Sequence, residues 1–134
     1  MGNSIAAFSH ITLGTNDYER SATFYAAVLS PLGFSRVPKP EGKPPVFAKN
    51  GEMPHLYLYK LFDGRPATWG NGTHVAFLAA TRDEVDDFYK QALAHGGLDE
   101  GAPGLRLDYG SNYYAAYVRD PDGNKLQAVC YSDS

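Results

Sequence analysis

Cysteine is almost absent from this sequence, which has Cys130 and no other among its 134 residues. A single cysteine excludes a disulfide within the chain and a metal site built from several thiolates. We expect Cys130 to be buried against a helix and chemically inert.

Long apolar runs and clusters of one charge are also missing. No segment comes near the roughly 20 apolar residues that span a bilayer, and Met1 to Ala7 lacks the basic and apolar stretches of a secretory signal. The 12 basic and 15 acidic residues are spread along the chain, so no basic face indicates nucleic-acid binding. We therefore expect a soluble, cytoplasmic protein that binds neither nucleic acid nor a membrane.

An internal repeat is the clearest feature that the sequence does contain. A shift of 64 residues, without a gap, places the second half of the chain on the first. The matching positions are Ser9–Leu13 on Thr73–Phe77, Phe24-Tyr25 on Phe88-Tyr89, Leu29 on Leu93 and Gly33 on Gly97. Agreement of His, Phe-Tyr, Leu and Gly in one register indicates a duplicated unit.

Each unit is predicted to fold as a strand, a helix and three shorter strands. Apolar residues first alternate and then recur at helical spacing, a capping box at Thr81–Glu84 starts the second helix, and glycines follow both helices. The shorter strands are predicted at 34–38, 46–49 and 55–61, and again at 105–109, 113–119 and 125–131. One domain of residues 1–134 then holds module one (7–63), a linker (64–72) and module two (73–131).

Alternation also predicts which side chains share a face of each sheet. Ile11 and Leu13 pack under a helix, as do their repeat mates, which turns His10 and His74 to the opposite face. The turn at 120–124 sets Tyr117 opposite Gln127 on that same face. A face that combines polar and aromatic groups in this way is typical of a ligand cleft. Its predicted lining is His10, Tyr57, Tyr59, His74, Tyr117 and Gln127.

Three segments carry a family resemblance. Phe8–Leu13, Gly72–Phe77 and Val118–Leu126 resemble the vicinal oxygen chelate superfamily, which includes glyoxalase I, bleomycin and fosfomycin resistance proteins and extradiol dioxygenases. The resemblance runs from about Ala7 to Tyr131. It implies an α+β fold in which two tandem βαβββ modules form a U-shaped mixed sheet around a cleft, and it implies a homodimer.

The resemblance also implies a set of metal ligands. Relatives similar to glyoxalase I bind a divalent metal through positions that correspond here to His10, Tyr57, His74 and Gln127, whereas the extradiol dioxygenases point to His10, His74 and Gln127. Such relatives usually carry glutamates where this chain has Tyr57 and Gln127. One lost carboxylate at about 4 Å costs roughly 4 kcal/mol at an effective dielectric near 20. We therefore expect zinc, nickel, manganese or iron to be weakly bound or absent, and no catalytic base is assigned.

Two functions stay open at this point. The first is a lyase or dioxygenase that acts on a small oxygenated metabolite, whose own oxygens complete a metal site at His10 and His74. The second is a metal-free binding protein of the bleomycin-resistance type. Gln127 is a ligand in the first and a polar donor to the small molecule in the second. Tyr57, Tyr59 and Tyr117 are candidate substrate contacts, with plain aromatic packing as the alternative.

Overall fold

A computed structural model describes residues 7–134, where two four-stranded mixed sheets each carry one helix. Module one comprises β1 (His10–Gly14), α1 (Tyr18–Leu29), a short 3-10 turn (Ser30–Leu32), β2 (Phe34–Arg36), β3 (Val46–Lys49) and β4 (Glu52–Tyr59). Module two comprises β5 (His74–Leu78), α2 (Arg82–Ala94), β6 (Leu98–Leu105), β7 (Tyr114–Arg119) and β8 (Lys125–Cys130). This α+β arrangement of repeated modules confirms the predicted fold. Within residues 7–134, neither helix is long and apolar enough to cross a membrane.

Both sheets share one topology. The strand orders are β1-β4-β3-β2 and β5-β8-β7-β6, with the first strand of each module parallel to the last and the other neighbours antiparallel. The first strand of each module therefore lies at a sheet edge. Its outer side leaves backbone donors and acceptors open for pairing.

Both helices begin at the expected type of residue. The side chain of Asp17 accepts a hydrogen bond from the Arg20 amide at the start of α1. Thr81 does the same for the Glu84 amide at the start of α2. The Glu84 carboxylate accepts from the Ala80 amide at 2.9 Å, one residue before the position that a capping box uses.

A single hydrophobic core joins the two modules. Helices α1 and α2 pack against each other, and Phe24 of α1 and Phe88 of α2 are fully buried. Phe34 of module one meets Phe77 of module two edge to face, with ring centroids 5.8 Å apart. The helix-facing side of each sheet is thus filled, and the opposite side is left for other contacts.

The prediction of a strand at residues 105–109 is wrong. The third strand from the end is β6, which runs over Leu98–Leu105, and the chain then turns, with the Tyr109 amide donating to the Arg106 carbonyl. The alternating apolar residues after Leu105 point into solvent rather than onto a sheet. The real strand was hidden because it carries two glycines and a proline and shifts register twice. The 64-residue shift of the internal repeat aligns β2 with the first three residues of β6.

The turn between β7 and β8 ties module two to module one. The buried carboxylate of Asp122 accepts hydrogen bonds from Thr15 Oγ1 at 2.7 Å, from the Asn16 amide at 2.9 Å and from Arg20 Nη2 at 2.7 Å. The side-chain amide of Asn124 donates to the Gly14 carbonyl at 2.9 Å. The Asp-Pro-Asp-Gly-Asn segment that carried the family resemblance therefore connects the modules rather than lining the predicted cleft.

Asp120 forms the buried centre of this turn. Its carboxylate accepts from the Tyr25 hydroxyl of α1, from the side chain and amide of Asn124, and from the Asp122 amide. Burial raises the pKa of Asp120, although the hydrogen bonds from Tyr25 and Asn124 act in the other direction. Burial and then the neighbouring Asp120 charge hold the pKa of Tyr25 well above its usual range.

Candidate functional site

The first sheet presents an aromatic face around His10. Because β1 lies parallel beside β4, with Thr12 opposite Tyr57, alternation brings His10 and Tyr57 to the same side. Their rings meet edge to face at 5.2 Å between centroids. Tyr57 stacks in turn on Tyr59, with centroids 5.9 Å apart and planes inclined by 28°. His10 is exposed, and its Nδ1 lies 3.0 Å from the Ser9 hydroxyl.

The second sheet presents a matching face around His74. Tyr117 pairs with Gln127 in register, as predicted, and the rings of His74 and Tyr117 lie 6.2 Å apart. Gln127 is only 2% exposed, and its Nε2 donates to the Tyr113 hydroxyl at 2.6 Å. This partly buried bond fixes the orientation of the amide at the base of the face.

Two cations flank Tyr117 on this second face. The guanidinium of Arg106 lies 5.6 Å from the ring centroid and the ammonium of Lys125 lies 5.4 Å from it. Arg106 is held in place because its Nη2 donates to the Ala102 carbonyl at 2.8 Å. Burial and the neighbouring Tyr113 raise the pKa of Tyr117, while Arg106 acts to lower it.

A groove of about 300 Å³ opens beside the stacked tyrosines of the first face. Its lining consists of Tyr57 and Tyr59 of β4, Val46 of β3, and Lys39, Pro40, Lys43 and Pro44 of the loop between β2 and β3. A separate apolar groove of about 270 Å³ lies where β5 meets the first sheet, and none of the six predicted site residues lines it.

The predicted site residues fall into two groups. His10, Tyr57 and Tyr59 lie together on the first sheet, whereas His74, Tyr117 and Gln127 lie together on the second. In the part of the chain that the structure describes, the ring and hydrogen-bond contacts of each histidine stay on its own sheet. A cleft lined by both groups stays a prediction, and it requires a second surface opposite each face.

The donor groups on these faces do not fit a divalent metal. Over residues 7–134, no three His, Cys, Asp or Glu side chains come together to hold one. The donors among the six predicted site residues are two imidazoles, three phenols and the Gln127 amide, whose nitrogen donates to Tyr113. Without a carboxylate or thiolate, nothing in this set offsets the double charge of the ion.

Four cationic side chains on these faces were not predicted from the sequence. The lysines at 39 and 43 were missed because their loop, Pro-Lys-Pro-Glu-Gly-Lys-Pro-Pro, looked like a plain connection. Lys125 lies two residues before Gln127, so strand alternation alone was enough to place it on the histidine face. Arg106 was missed because it was assigned to a strand that does not form.

The sequence and fold both match known proteins. A family profile described as the Glyoxalase/Bleomycin resistance protein/Dioxygenase superfamily matches residues 7–128. A glyoxalase/bleomycin resistance protein from Albidiferax ferrireducens T118 is 35% identical, with 93% of this chain and 98% of that chain covered and a TM-score of 0.80.

More distant structures share the fold alone. A glyoxalase-related enzyme from Fulvimarina pelagi is 23% identical, with 94% of this chain and 88% of that chain covered and a TM-score of 0.71. A lactoylglutathione lyase from Agrobacterium tumefaciens is 21% identical, with 94% of each chain covered and a TM-score of 0.63. No protein of curated function matches the sequence.

Proposed function

The chain belongs to the glyoxalase/bleomycin resistance protein/dioxygenase superfamily, and we propose that it binds a small oxygenated organic molecule in clefts formed between two copies of itself. The first sheet of one copy faces the second sheet of the other, so a symmetric homodimer contains two equal clefts. Each cleft then brings His10 of one copy towards His74 and Gln127 of the other. No permanently bound metal is required.

The observation that supports this proposal is that, within residues 7–134 of one chain, neither His10 nor His74 is covered by other residues. Ligand pockets usually enclose most of the ligand surface, but His10 and His74 are both exposed. Strands β1 and β5, which hold the two histidines, lie at open sheet edges. A partner that covers these edges also supplies the missing wall.

Exposed apolar side chains beside the second face support the same assembly. Leu78, Leu107 and Tyr109 are 63%, 71% and 69% exposed. Exposed apolar side chains that form one patch are typical of a surface that becomes covered. Tyr109 contacts Tyr113, with centroids 5.2 Å apart, and Tyr113 in turn holds Gln127. The apolar surface is therefore continuous with the proposed cleft.

Cysteine cross-linking tests where the cleft lies. When the single variants His10→Cys and His74→Cys are co-expressed and treated with a short bismaleimide, we expect a covalent dimer, because the two positions face each other across copies. Each single variant alone is expected to give little dimer. Wild type is the control, since Cys130 is fully buried. The double variant His10→Cys/His74→Cys gives the opposite test. If it forms a cross-link within one chain, and the co-expressed single variants form no covalent dimer, the cleft lies inside one chain and the proposal is contradicted.

An enzyme of the glyoxalase or dioxygenase type is the second candidate function. The specific observation in its favour is that His10 and His74 occupy equivalent places in the two sheets, each at the start of an edge strand. The fold is shared with a lactoylglutathione lyase, although at 21% identity.

Metal content and turnover separate the two candidates. For the binding protein we expect a small molecule that co-purifies in native mass spectrometry, no stoichiometric zinc, nickel, manganese or iron, and no turnover of an aldehyde–thiol adduct or a catechol. The neutral donor set is the reason for the expected lack of metal. Turnover that depends on one of these metals, and is lost in His10→Ala, favours the enzyme instead.

A further inference from the structure

We propose that the groove between the stacked tyrosines and the loop lysines binds the anionic end of a planar, conjugated ligand such as an aryl carboxylate. This inference rests on the proposed cleft and names the class of molecule that it takes. It starts from the four residues Lys39, Lys43, Tyr57 and Tyr59, which line the groove.

The tyrosine wall is suited to a flat ligand. Tyr57 and Tyr59 present a nearly parallel pair of rings, and Tyr59 is 44% exposed. An exposed aromatic face attracts another flat π-system through offset stacking. Because Tyr57 also contacts His10, a ligand that stacks there lies next to the histidine of the same face.

The opposite wall is suited to an anion. The residues that line this groove include two lysines and no acidic residue. Glu41 of the same loop and Glu19 line a neighbouring groove, which Lys39 and Lys43 also line. The chain as a whole carries a net charge of −3, so the positive wall does not follow from overall composition.

The backbone of the loop that carries these lysines is restrained. Its ends are joined by a hydrogen bond from the Val37 amide to the Val46 carbonyl at 2.8 Å, and the Lys43 amide closes a turn on the Pro40 carbonyl at 3.3 Å. Gly42 adopts the positive φ of 85° that this turn requires. Four prolines among residues 38–45 restrict the loop further. Less backbone freedom is then lost when a ligand binds this loop.

The second face carries the same sign of charge. Arg106 and Lys125 both lie over the Tyr117 ring. In the proposed dimer, these cations face the loop lysines across the cleft. A cleft with cations on both walls attracts an anionic organic ligand and repels a free divalent metal.

Calorimetric titration with two matched probes tests this inference. The probes are 2-naphthoate and its neutral counterpart 2-naphthamide, which have nearly the same shape. We expect naphthoate to bind at least tenfold more tightly at low salt, and we expect this preference to shrink as salt is added. The Lys39→Gln/Lys43→Gln variant is expected to lose most of this preference for naphthoate over naphthamide. Each lysine is expected to contribute a factor of about five to the ratio of the two affinities.

Two further variants separate charge from stacking. Lys90→Gln removes an exposed lysine of α2 and is expected to leave both affinities unchanged. Tyr59→Leu is expected to weaken both probes by a similar factor of about two to ten, because it removes stacking and leaves the charge.

Equal binding of the two probes, a preference that survives the double lysine variant, or no binding of naphthoate at millimolar concentration each overturns the inference. The cross-linking result does not depend on charge, so the proposed cleft can stand when the anion preference fails.

Discussion

Gln127→Glu is expected to tighten divalent-metal binding by roughly two to four decades. The variant returns a carboxylate to the position where relatives similar to glyoxalase I and the extradiol dioxygenases carry one. Glutamate has nearly the shape of glutamine, so the change adds charge without disturbing the packing of this buried position. With His10 and His74 in place, the added anion supplies the charge that the natural donor set lacks.

Calorimetry and thermal melting with zinc, nickel, manganese and anaerobic ferrous iron measure this effect. Added metal is expected to raise the Tm of the variant, because it binds the folded protein preferentially. Without metal, the variant is expected to be slightly less stable than wild type, since a buried carboxylate loses its hydration. The Tyr113 hydroxyl at 2.6 Å limits that loss by donating to the new carboxylate.

Gln91→Glu is the matched control for this experiment. It makes the same change of charge at the only other glutamine in the chain, which lies on α2 away from the histidine faces. We expect it to leave metal affinity unchanged. A gain of less than about tenfold, or roughly 1.4 kcal/mol, for all four metals in Gln127→Glu shows that the two histidines form no latent site.

Asp120→Ala is expected to lower the free energy of unfolding by roughly 3–5 kcal/mol. The substitution removes the acceptor of the buried Tyr25 hydroxyl and of the Asn124 side chain, and it leaves two backbone amides of the turn without their partner. A domain of ordinary stability has only about 5–15 kcal/mol in total. Urea unfolding followed by circular dichroism measures the loss, and Asp108→Ala, at an exposed position, serves as the control.

Asp120→Asn gives a graded version of the same test. The amide keeps one oxygen for the two backbone donors, but its NH2 group replaces the oxygen that accepts from Tyr25 and Asn124, so we expect a loss of about 1–3 kcal/mol. A loss from Asp120→Ala no greater than that from Asp108→Ala contradicts a connecting role for the turn.

The pH dependence of the free energy of unfolding provides a second test of the role of Asp120. Burial raises its pKa above the ordinary value of 3.8, so the folded protein keeps this proton more tightly than the unfolded chain does. The part of the stability that comes from this proton is therefore greatest below that value and is lost as pH rises through the raised pKa, whereas the hydrogen bonds to the carboxylate remain. The Asn variant is expected to lack this fall, which a series of unfolding curves from pH 3 to 7 measures.

The repeat made most of the fold predictable from the sequence. Matching His10 with His74 and Phe24 with Phe88 located both first strands and both helices, and alternation then placed each histidine opposite its helix. These inferences succeeded because they depend on local patterns that tertiary packing reinforces.

The features that were missed depend on contacts between distant residues. Strand β6 pairs with β7 although β6 contains two glycines, and no local sequence pattern indicates this pairing. The Asp120–Asn124 turn looked like an ordinary hairpin turn, but its side chains bind module one about a hundred residues away in sequence. The lysines of the β2–β3 loop become neighbours of Tyr57 only when the loop folds over the sheet.

The two histidine faces belong to repeated modules, but they carry different side chains. Two identical copies of an ancestral gene would have made a cleft with equivalent walls, in which a ligand could sit equally well in either of two directions. Divergence kept the histidines and changed what surrounds them. One wall now offers stacked tyrosines and lysines, and the other a buried amide beside an arginine. In the proposed cleft the two walls offer different partners, so we expect a bound molecule to adopt one direction rather than two.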